Sequence, residues 1–261
     1  MPELPEIETL KNEIISYGLI GKRIIEININ DLRTINMPAN KFKKSILGES
    51  IEGVERRGKN LILNLSNKGF IAIHLKLFGQ MRVSDKPILS QLSFCFDNGK
   101  SLCLSQLAFG AGASLFLDTS LEDVFNLGKD ALKISISEFK EILKKGKVKP
   151  ILMEQKKIAG IGNTYADEIL FLSKINPERD ASSLKEDEIR VLYKAMGDIL
   201  NEAIKNGGVT LDDFIHLDGR RGNFRCRVHN REGEACLSCN SAIKKIRLGG
   251  RGTFFCPNCQ I

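Results

Sequence analysis

The sequence contains no tryptophan and no hydrophobic run that approaches the ~18 residues of a membrane-spanning helix. Its first eight residues, Met1-Pro-Glu-Leu-Pro-Glu-Ile-Glu, are acidic and lack the hydrophobic core of a secretory signal. We therefore expect a cytoplasmic protein with no membrane partner. In a reducing compartment its seven cysteines are expected to be thiols or metal ligands rather than disulfides.

The overall composition is that of a globular protein. Of 261 residues, 42% are hydrophobic, which excludes a disordered tail, a collagen and a disulfide-stapled miniprotein. Because single hydrophobic cores stop growing at roughly 250 to 300 residues, a chain of this length is expected to form two or more domains.

The positive charge is concentrated at the C-terminal end. The chain carries 39 Lys and Arg against 32 Asp and Glu, and residues 219–261, with nine basic and two acidic side chains, hold the whole excess of +7. A concentrated basic module favours a polyanionic partner such as nucleic acid. The alternative is a solvated basic tail, but four cysteines and several phenylalanines in the same segment argue against it.

The hydrophobic pattern divides the chain into three parts. Spacings of three and four predict a helix from Pro5 to about Tyr17, and a period near two from Arg23 to Leu117 predicts a β-sandwich or barrel. Within it, Asn98-Gly99 predicts a hairpin with a two-residue loop. After Lys129 the pattern becomes helical. We expect domains at 1–130, 131–218 and 219–261.

Three helices are predicted in the middle part, at 137–145, 164–172 and 184–206. Ser183 and Glu186 have the spacing of a capping box at the start of the last one, and Gly207-Gly208 ends it. The segment that follows is too short for a core of its own and needs a cross-link or a metal.

Two Cys-x2-Cys pairs in this segment provide the ligands for such a metal. Their sixteen-residue separation predicts a tetrahedral four-sulfur site for one structural Zn2+ per chain, with unrelated buried thiols as the alternative; the ligands are Cys236, Cys239, Cys256 and Cys259. Between the pairs, residues 248–253 predict a hairpin tip that carries Arg251, where glycines allow close approach to a phosphate. A plain solvated tip is the alternative.

Two further segments suggest chemistry. Gly160-Ile161-Gly162-Asn163 opens a predicted helix and offers free N–H groups to a phosphate, although helix starts with two glycines are common. Removal of Met1 would expose the secondary amine of Pro2, whose pKa should lie near the α-amino value of ~7.7 to 8, with Glu3 beside it for proton transfer. The alternative for Pro-Glu-x-Pro-Glu is simply a good helix start.

Several motifs in the same order resemble the formamidopyrimidine-DNA glycosylase and endonuclease VIII family. They are Met1-Pro-Glu-Leu-Pro-Glu-Ile-Glu-Thr, Arg56-Arg57-Gly58-Lys59-Asn60, Gly160-Ile161-Gly162-Asn163-Thr-Tyr-Ala-Asp-Glu, Gly207-Gly208 and Gly250-Arg251-Gly252-Thr-Phe-Phe-Cys-Pro-Asn-Cys. The resemblance implies an α+β multidomain fold with an N-terminal β-sandwich and N-terminal helix, a helix-two-turn-helix domain and a four-cysteine zinc finger. It also implies a bifunctional glycosylase and lyase of base excision repair that acts on damaged double-stranded DNA, and we expect a monomer.

The resemblance also implies roles for single residues. Pro2 would attack the sugar C1′, Glu3 would transfer protons, Lys59 would assist at the adjacent phosphate, and Arg251 would grip phosphate and assist elimination. Further DNA contacts are expected from six residues, although for Lys144 we favour a solvated helix end over a phosphate contact. These residues are His74, Leu77, Phe109, Lys144, Lys149 and Asn163.

Three positions depart from the purine-repair pattern. Leu77 replaces the void-filling methionine and keeps an apolar wedge, whereas Leu107 replaces the arginine that reads the opposite base. Gln91 stands where a DNA-contacting histidine is usual. Because leucine cannot hydrogen-bond to an orphaned cytosine, we predict weak discrimination of the opposite base.

The substrate class stays open between alternatives. We favour formamidopyrimidine and oxidised guanine, but residues 223–229 look more like the pyrimidine-acting branch, so oxidised pyrimidines or a crosslink-like lesion compete. A catalytically weak damage-binding paralogue is a further alternative, although Pro2, Glu3 and Lys59 are all present. A zinc-ribbon regulator would need base-reading side chains on a groove-entering element, and none is evident.

Overall fold

The structure, a computed structural model, shows two compact units. The first unit comprises Met1–Phe125 and Asn206–Asn223, and the second comprises Asn126–Lys205 and Phe224–Ile261. The three domain boundaries predicted from the sequence stay a prediction. The structure describes residues 1–86, 88–210 and 214–261.

The first unit is built from two four-stranded antiparallel sheets. Its strands are β1 (Ile24–Ile29), β2 (Ile51–Arg57), β3 (Asn60–Leu65), β4 (Phe70–His74), β5 (Gln80–Ser84), β6 (Leu92–Phe96), β7 (Ser101–Ser105) and β8 (Gly112–Phe116). Its helices are α1 (Leu4–Ser16), α2 (Ala39–Ile46) and α3 (Leu121–Val124), with a short 3-10 turn at Leu32–Thr34. One sheet has the order β1-β6-β7-β5 and the other β2-β3-β4-β8. This architecture confirms the predicted N-terminal β-sandwich with its N-terminal helix.

Apolar side chains explain how these elements pack. Helix α1 buries Ile7, Leu10 and Ile14 at helical spacing, and it packs against β2 and β3. Strand β3 is buried on both faces, because Ile62 on one face belongs to a separate apolar cluster that the α3 segment covers. Phe70 and Phe116 stack in that cluster with ring centroids 5.2 Å apart.

The returning segment, Asn206–Asn223, is tied to α1 by carboxylates. The Glu6 carboxylate accepts a hydrogen bond from the Val209 N–H at 3.1 Å, and Glu13 accepts one from the Leu217 N–H at 2.9 Å. Gly222 is required here, because a Cβ would lie 2.2 Å from the Gly208 carbonyl oxygen. The first turn of α1 therefore contacts a part of the chain 203 residues away.

The β6–β7 hairpin is confirmed, but the predicted two-residue loop is wrong. The Phe96 N–H donates to the Lys100 carbonyl at 2.8 Å, so three residues, Asp97, Asn98 and Gly99, form the loop. Only Gly99 of the three has positive φ, at 79°. This is the geometry of a type I turn followed by a left-handed glycine rather than the two left-handed residues that a two-residue type I′ turn needs.

The second unit is mainly helical. Its helices are α4 (Ile136–Ile142), α5 (Val148–Met153), α6 (Asn163–Leu172) and α7 (Glu186–Lys205), with a 3-10 turn at Ala181–Ser183. Strands β9 (Lys129–Asp130) and β10 (Ile158–Ala159) form a short parallel pair, and β11 (Lys244–Leu248) and β12 (Arg251–Phe255) form an antiparallel hairpin. Helix α6 is central, since it packs against α5, α7 and β12. Among the residues described, no helix combines the length and apolar character needed to span a membrane.

The capping box predicted for α7 is wrong. Ser183 ends the 3-10 turn, and its hydroxyl donates to the Asp180 carbonyl at 2.7 Å. The helix begins instead at Glu186, where the Glu188 carboxylate accepts a hydrogen bond from the Lys185 N–H at 2.8 Å. A capping box does occur at α4, between Ser135 and Glu138. The Leu184 φ and ψ are extended, which separates the two helical segments.

Candidate functional site

The N-terminal residues lie in a buried, hydrogen-bonded start of α1. Pro2 is buried and Glu3 is 3% exposed. The Glu3 N–H donates to the Glu6 carboxylate at 2.8 Å, and the two residues form a capping box. The predicted helix start is thus present, and it fixes the position of both predicted catalytic residues.

The β2–β3 turn carries Lys59 next to the same helix. Arg57 pairs with Asn60, so Gly58 and Lys59 form the two-residue turn, and Lys59 is 7% exposed. Arg56 links this turn to α1 by donating to the Glu8 carboxylate at 2.7 Å and to the Gly58 carbonyl at 3.2 Å. The first unit therefore holds a buried lysine on a rigid turn.

His74, at the end of β4, is neutral at neutral pH. Burial, and then the positive charges of Lys76 and Lys59, lower the pKa of His74 to about 4. Its Nδ1 accepts the Lys76 N–H at 3.0 Å. A neutral imidazole can offer only its other nitrogen as a donor, so any contact of His74 with DNA is a hydrogen bond rather than an ion pair.

Three exposed apolar side chains occur in the first unit, two of them shortly after His74. Leu77, Phe78 and Phe109 are 43%, 52% and 74% exposed, and the two phenylalanine ring centroids are 6.1 Å apart. The sequence analysis identified Leu77 and Phe109 but missed Phe78. The available signal was its position directly after Leu77. Leu107, by contrast, is only 6% exposed and packs into the unit. We call Leu77, Phe78 and Phe109 the wedge cluster.

In the second unit, two of the predicted DNA contacts meet the hairpin that carries Arg251. The Asn163 amide donates to the Gly252 carbonyl at 3.0 Å, and the Lys149 ammonium donates to the same carbonyl at 3.3 Å. Gly249 and Gly250 form the tip, with φ of 56° and 76°, which confirms the predicted hairpin. Arg251 follows and is exposed. Lys144 follows the end of α4 and pairs with Glu141.

Lys149 is buried and connects α5 to α6 and β12 in this unit. It is 1% exposed and lies 2.7 Å from both the Asp167 carboxylate and the Thr253 hydroxyl. Asp167 also contacts His229 Nδ1 at 2.7 Å and accepts the Phe254 N–H at 3.3 Å. Sequence reasoning missed Asp167 and His229, although an acidic pair inside the apolar helix α6 was a visible signal. The role of Lys149 at DNA stays a prediction.

Lys149→Met should lower the free energy of unfolding of the second unit by about 3 to 5 kcal/mol, because it leaves the Asp167 carboxylate buried without its cation. Urea unfolding of the full chain measures this. Lys147→Met is the matched control, since Lys147 pairs with Asp180 at 3.3 Å with both side chains about half exposed. Its loss should be at most about 1 kcal/mol. Equal losses in the two variants would contradict a dominant role for the buried pair.

The four predicted cysteine ligands come together at the base of the hairpin. Their Sγ atoms all lie within 4.8 Å of one another, with Cys236 and Cys259 3.9 Å apart and Cys239 and Cys256 3.4 Å apart. A tetrahedral zinc with Zn–S bonds of ~2.3 Å requires sulfur separations of about 3.8 Å. The four thiols therefore fit a metal ion of this size. The predicted four-cysteine finger is confirmed.

The comparisons with known proteins agree along the whole chain. Residues 1–110 match the model of the formamidopyrimidine-DNA glycosylase N-terminal domain, residues 127–214 that of the formamidopyrimidine-DNA glycosylase H2TH domain, and residues 233–261 that of the zinc finger found in FPG and IleRS. Formamidopyrimidine-DNA glycosylase of Lactococcus lactis is 35% identical over 272 residues, which cover 100% of this chain and 99% of that protein. The protein of the same name from Rickettsia africae is 38% identical over 274 residues, with the same coverage.

Solved structures give the same result. A complex between Lactococcus lactis Fpg and DNA containing an abasic site has a TM-score of 0.90 and 32% identity over 99% of both chains. MutM in complex with DNA containing carbocyclic 8-oxo-G has a TM-score of 0.89 and 33% identity over 99% of both chains. Since the relatives and the fold agree over the full length and the three domain models match most of the chain, the chain belongs to the formamidopyrimidine-DNA glycosylase family.

Proposed function

We propose that this protein is a bifunctional DNA glycosylase and abasic-site lyase that acts on damaged double-stranded DNA, removes oxidised purines and nicks the strand. The observation that carries the proposal is the buried start of α1 that holds Pro2 and Glu3, on a helix that Arg56 links to the turn carrying the buried Lys59. The relatives named above support it, because they bear the name of a DNA glycosylase and include complexes with lesion-containing DNA. We propose that it acts as a monomer in the cytoplasm.

The proposed chemistry uses Pro2 as nucleophile once Met1 is removed. The nitrogen lone pair forms a bond to the sugar C1′ while the bond from C1′ to the base breaks, and the base leaves with a proton. Glu3 transfers protons as the sugar ring opens to a cationic iminium. Loss of a C2′ proton then expels the 3′ phosphate, and hydrolysis of the iminium restores the amine.

Basic side chains and the Asn163 amide would contact the DNA backbone. We propose that Lys59 and Arg251 contact phosphates near the lesion and assist elimination, with Asn163 and Lys144 as further phosphate contacts and Lys149 near the lesion. The wedge cluster would fill the space left by a base that is flipped out of the duplex, because C1′ is unreachable inside the stack. His74 would add a hydrogen bond beside it.

One structural Zn2+ would be held by the four cysteines. Its chemistry is to neutralise and fix thiolates, and the four ligands leave no open position for a reaction. The chain's own contribution is the β11–β12 hairpin, whose base the cysteines anchor and whose Gly252 carbonyl Lys149 and Asn163 hold.

Borohydride trapping tests the proposed function. Protein with Met1 removed, checked by mass spectrometry, is incubated with duplexes that contain 8-oxoguanine, a formamidopyrimidine, thymine glycol or an abasic site, each opposite all four bases. A covalent adduct on the abasic duplex supports the amine lyase, and adducts on the base lesions assign the substrate class. Tight binding without any adduct would favour a damage-binding protein instead.

Leu107→Arg should raise the preference for lesions opposite cytosine by about ten-fold, because an arginine can donate hydrogen bonds to the orphaned base whereas leucine cannot. Excision rates opposite the four bases measure the preference. Since Leu107 is 6% exposed, the longer side chain has to extend outward, and Leu107→Met controls for the loss of leucine packing. Unchanged ratios across the four opposite bases in Leu107→Arg would contradict the explanation.

A further inference from the structure

The side chain of Gln91, just before β6, holds a neighbouring loop by its main chain. Its Oε1 accepts the Leu107 N–H at 2.6 Å, and its Nε2 donates to the Leu107 carbonyl at 3.0 Å. The same Nε2 donates to the Asp31 carboxylate at 3.1 Å. The amide thus uses both of its ends on one residue, in the way that a peptide group of a neighbouring strand would.

The loop that Gln91 holds is conformationally demanding. Gln106 and Phe109 have φ of 53° and 54°, in the left-handed region that non-glycine residues rarely adopt. Between these two residues the Leu107 side chain is buried, whereas the Phe109 ring itself is 74% exposed. Such a backbone persists only where surrounding contacts fix it. The paired hydrogen bonds to Leu107 supply that fixation at the middle of the segment.

Asp31 determines the orientation of the Gln91 amide. Arg33 donates to the Asp31 carboxylate through Nε at 2.9 Å and through Nη2 at 2.8 Å. Hydrogen bonds from the Arg33 side chain and main chain hold the pKa of Asp31 well below its usual range. The carboxylate therefore remains an acceptor, and the Gln91 nitrogen has to face it while the oxygen faces the Leu107 N–H.

We infer that Gln91 is a positioning residue that keeps the Leu107 main chain in place, so that Phe109 projects from the surface and fills the space left by a flipped-out base. This inference rests on the proposed function. It gives residue 91 a role within the protein in place of a contact to DNA. It also explains why the wedge cluster keeps Phe109 outward although the residue at 107 is turned inward.

Gln91→Leu tests the inference through the ratio of two reactions. A paired base lesion has to be unstacked before excision, whereas an abasic site has no base to unstack. We therefore expect excision of the base lesion that the wild type removes fastest to fall about ten-fold relative to trapping at an abasic site. Fluorescence of 2-aminopurine next to the lesion should also show less unstacking at saturating protein.

A matched control exists in the same unit. The Asn36 amide holds Leu115 of β8 by the same pair of bonds, donating to its carbonyl at 3.0 Å and accepting its N–H at 2.9 Å. Asn36→Leu should leave the ratio unchanged, because it removes the same contacts away from the wedge cluster. Gln91→Met, which keeps the length of the side chain but loses all three hydrogen bonds, should lower the ratio as Gln91→Leu does and remains informative if Gln91→Leu misfolds.

The outcomes separate the two ideas. An unchanged ratio in the Gln91 variants, or a parallel fall of both reactions as in a generally destabilised protein, overturns the positioning role while the proposed function stands. Absence of an abasic adduct in the wild type overturns the proposed function and this inference with it. A lowered ratio in Gln91→Leu but not in Asn36→Leu supports the inference.

Discussion

Pro2→Gly should retain binding to damaged DNA and lose borohydride trapping by at least about 100-fold. Proline offers a secondary amine, so its adduct with C1′ is an iminium with a permanent positive charge. The adduct of a primary amine is cationic only when protonated. A cationic adduct withdraws electrons from the sugar, which both base loss and elimination require.

Geometry adds to the difference between proline and glycine. Pro2 is buried, and its ring restricts the direction of the nitrogen lone pair at the start of α1. Glycine would leave the terminal amine free to rotate, and a displacement of about 1 Å from the reactive position can cost 10²-fold in rate. The measurement is the yield of trapped adduct at an abasic site together with the dissociation constant for the same duplex.

Pro5→Ala is the matched control for Pro2→Gly. Pro5 is also buried and lies in the first turn of α1, but it carries no terminal amine. Its substitution should change stability slightly and leave trapping within about two-fold of the wild type. Full trapping by Pro2→Gly, with Met1 shown by mass spectrometry to be absent, would exclude Pro2 as the nucleophile.

Elements with strong local signals were predictable from the sequence. The change to a period near two was placed at Arg23, next to the observed start of β1 at Ile24, and α1 was placed within one residue at each end because its apolar spacing is a local feature. The Gly249-Gly250 hairpin follows from the positive φ that glycine favours, whereas Gly162, which precedes α6, is extended. Errors arose where two local signals competed, as at Ser183, which caps nothing because a 3-10 turn precedes α7.

The candidate site was predictable only in part for the same reason. The cysteine ligands are close in sequence within each pair, and the wedge residues occur in short motifs. Asp167 and His229 are 62 residues apart, and Gln91 and Leu107 are 16 apart, so their contacts depend on tertiary pairing. Spacing along one segment contains no information about such partners. The sheet orders, in which β1 pairs with β6 and β4 with β8, required the structure as well.

Cys256→Ala should abolish metal binding and lower affinity for damaged DNA by at least about ten-fold. Only β12 contributes buried side chains to the β11–β12 hairpin, since every residue of β11 is at least partly exposed. Its buried neighbours form a small cluster that includes Cys236 and Cys256 themselves. Structural zinc contributes an apparent ~10 to 16 kcal/mol in isolated fingers, far more than a cluster of this size can replace.

Loss of the metal should therefore release the hairpin and the Gly252 carbonyl that Lys149 and Asn163 hold, and with it the ordered position of Arg251. Metal content by mass spectrometry and DNA affinity by fluorescence anisotropy give the two readouts. Cys103→Ala is the control, because Cys103 is a buried thiol of β7 outside the cluster, and this variant should keep one metal per chain. If Cys256→Ala still bound DNA as the wild type does after metal loss, then the hairpin and Arg251 would contribute little to binding, and residues of the first unit would have to supply the affinity.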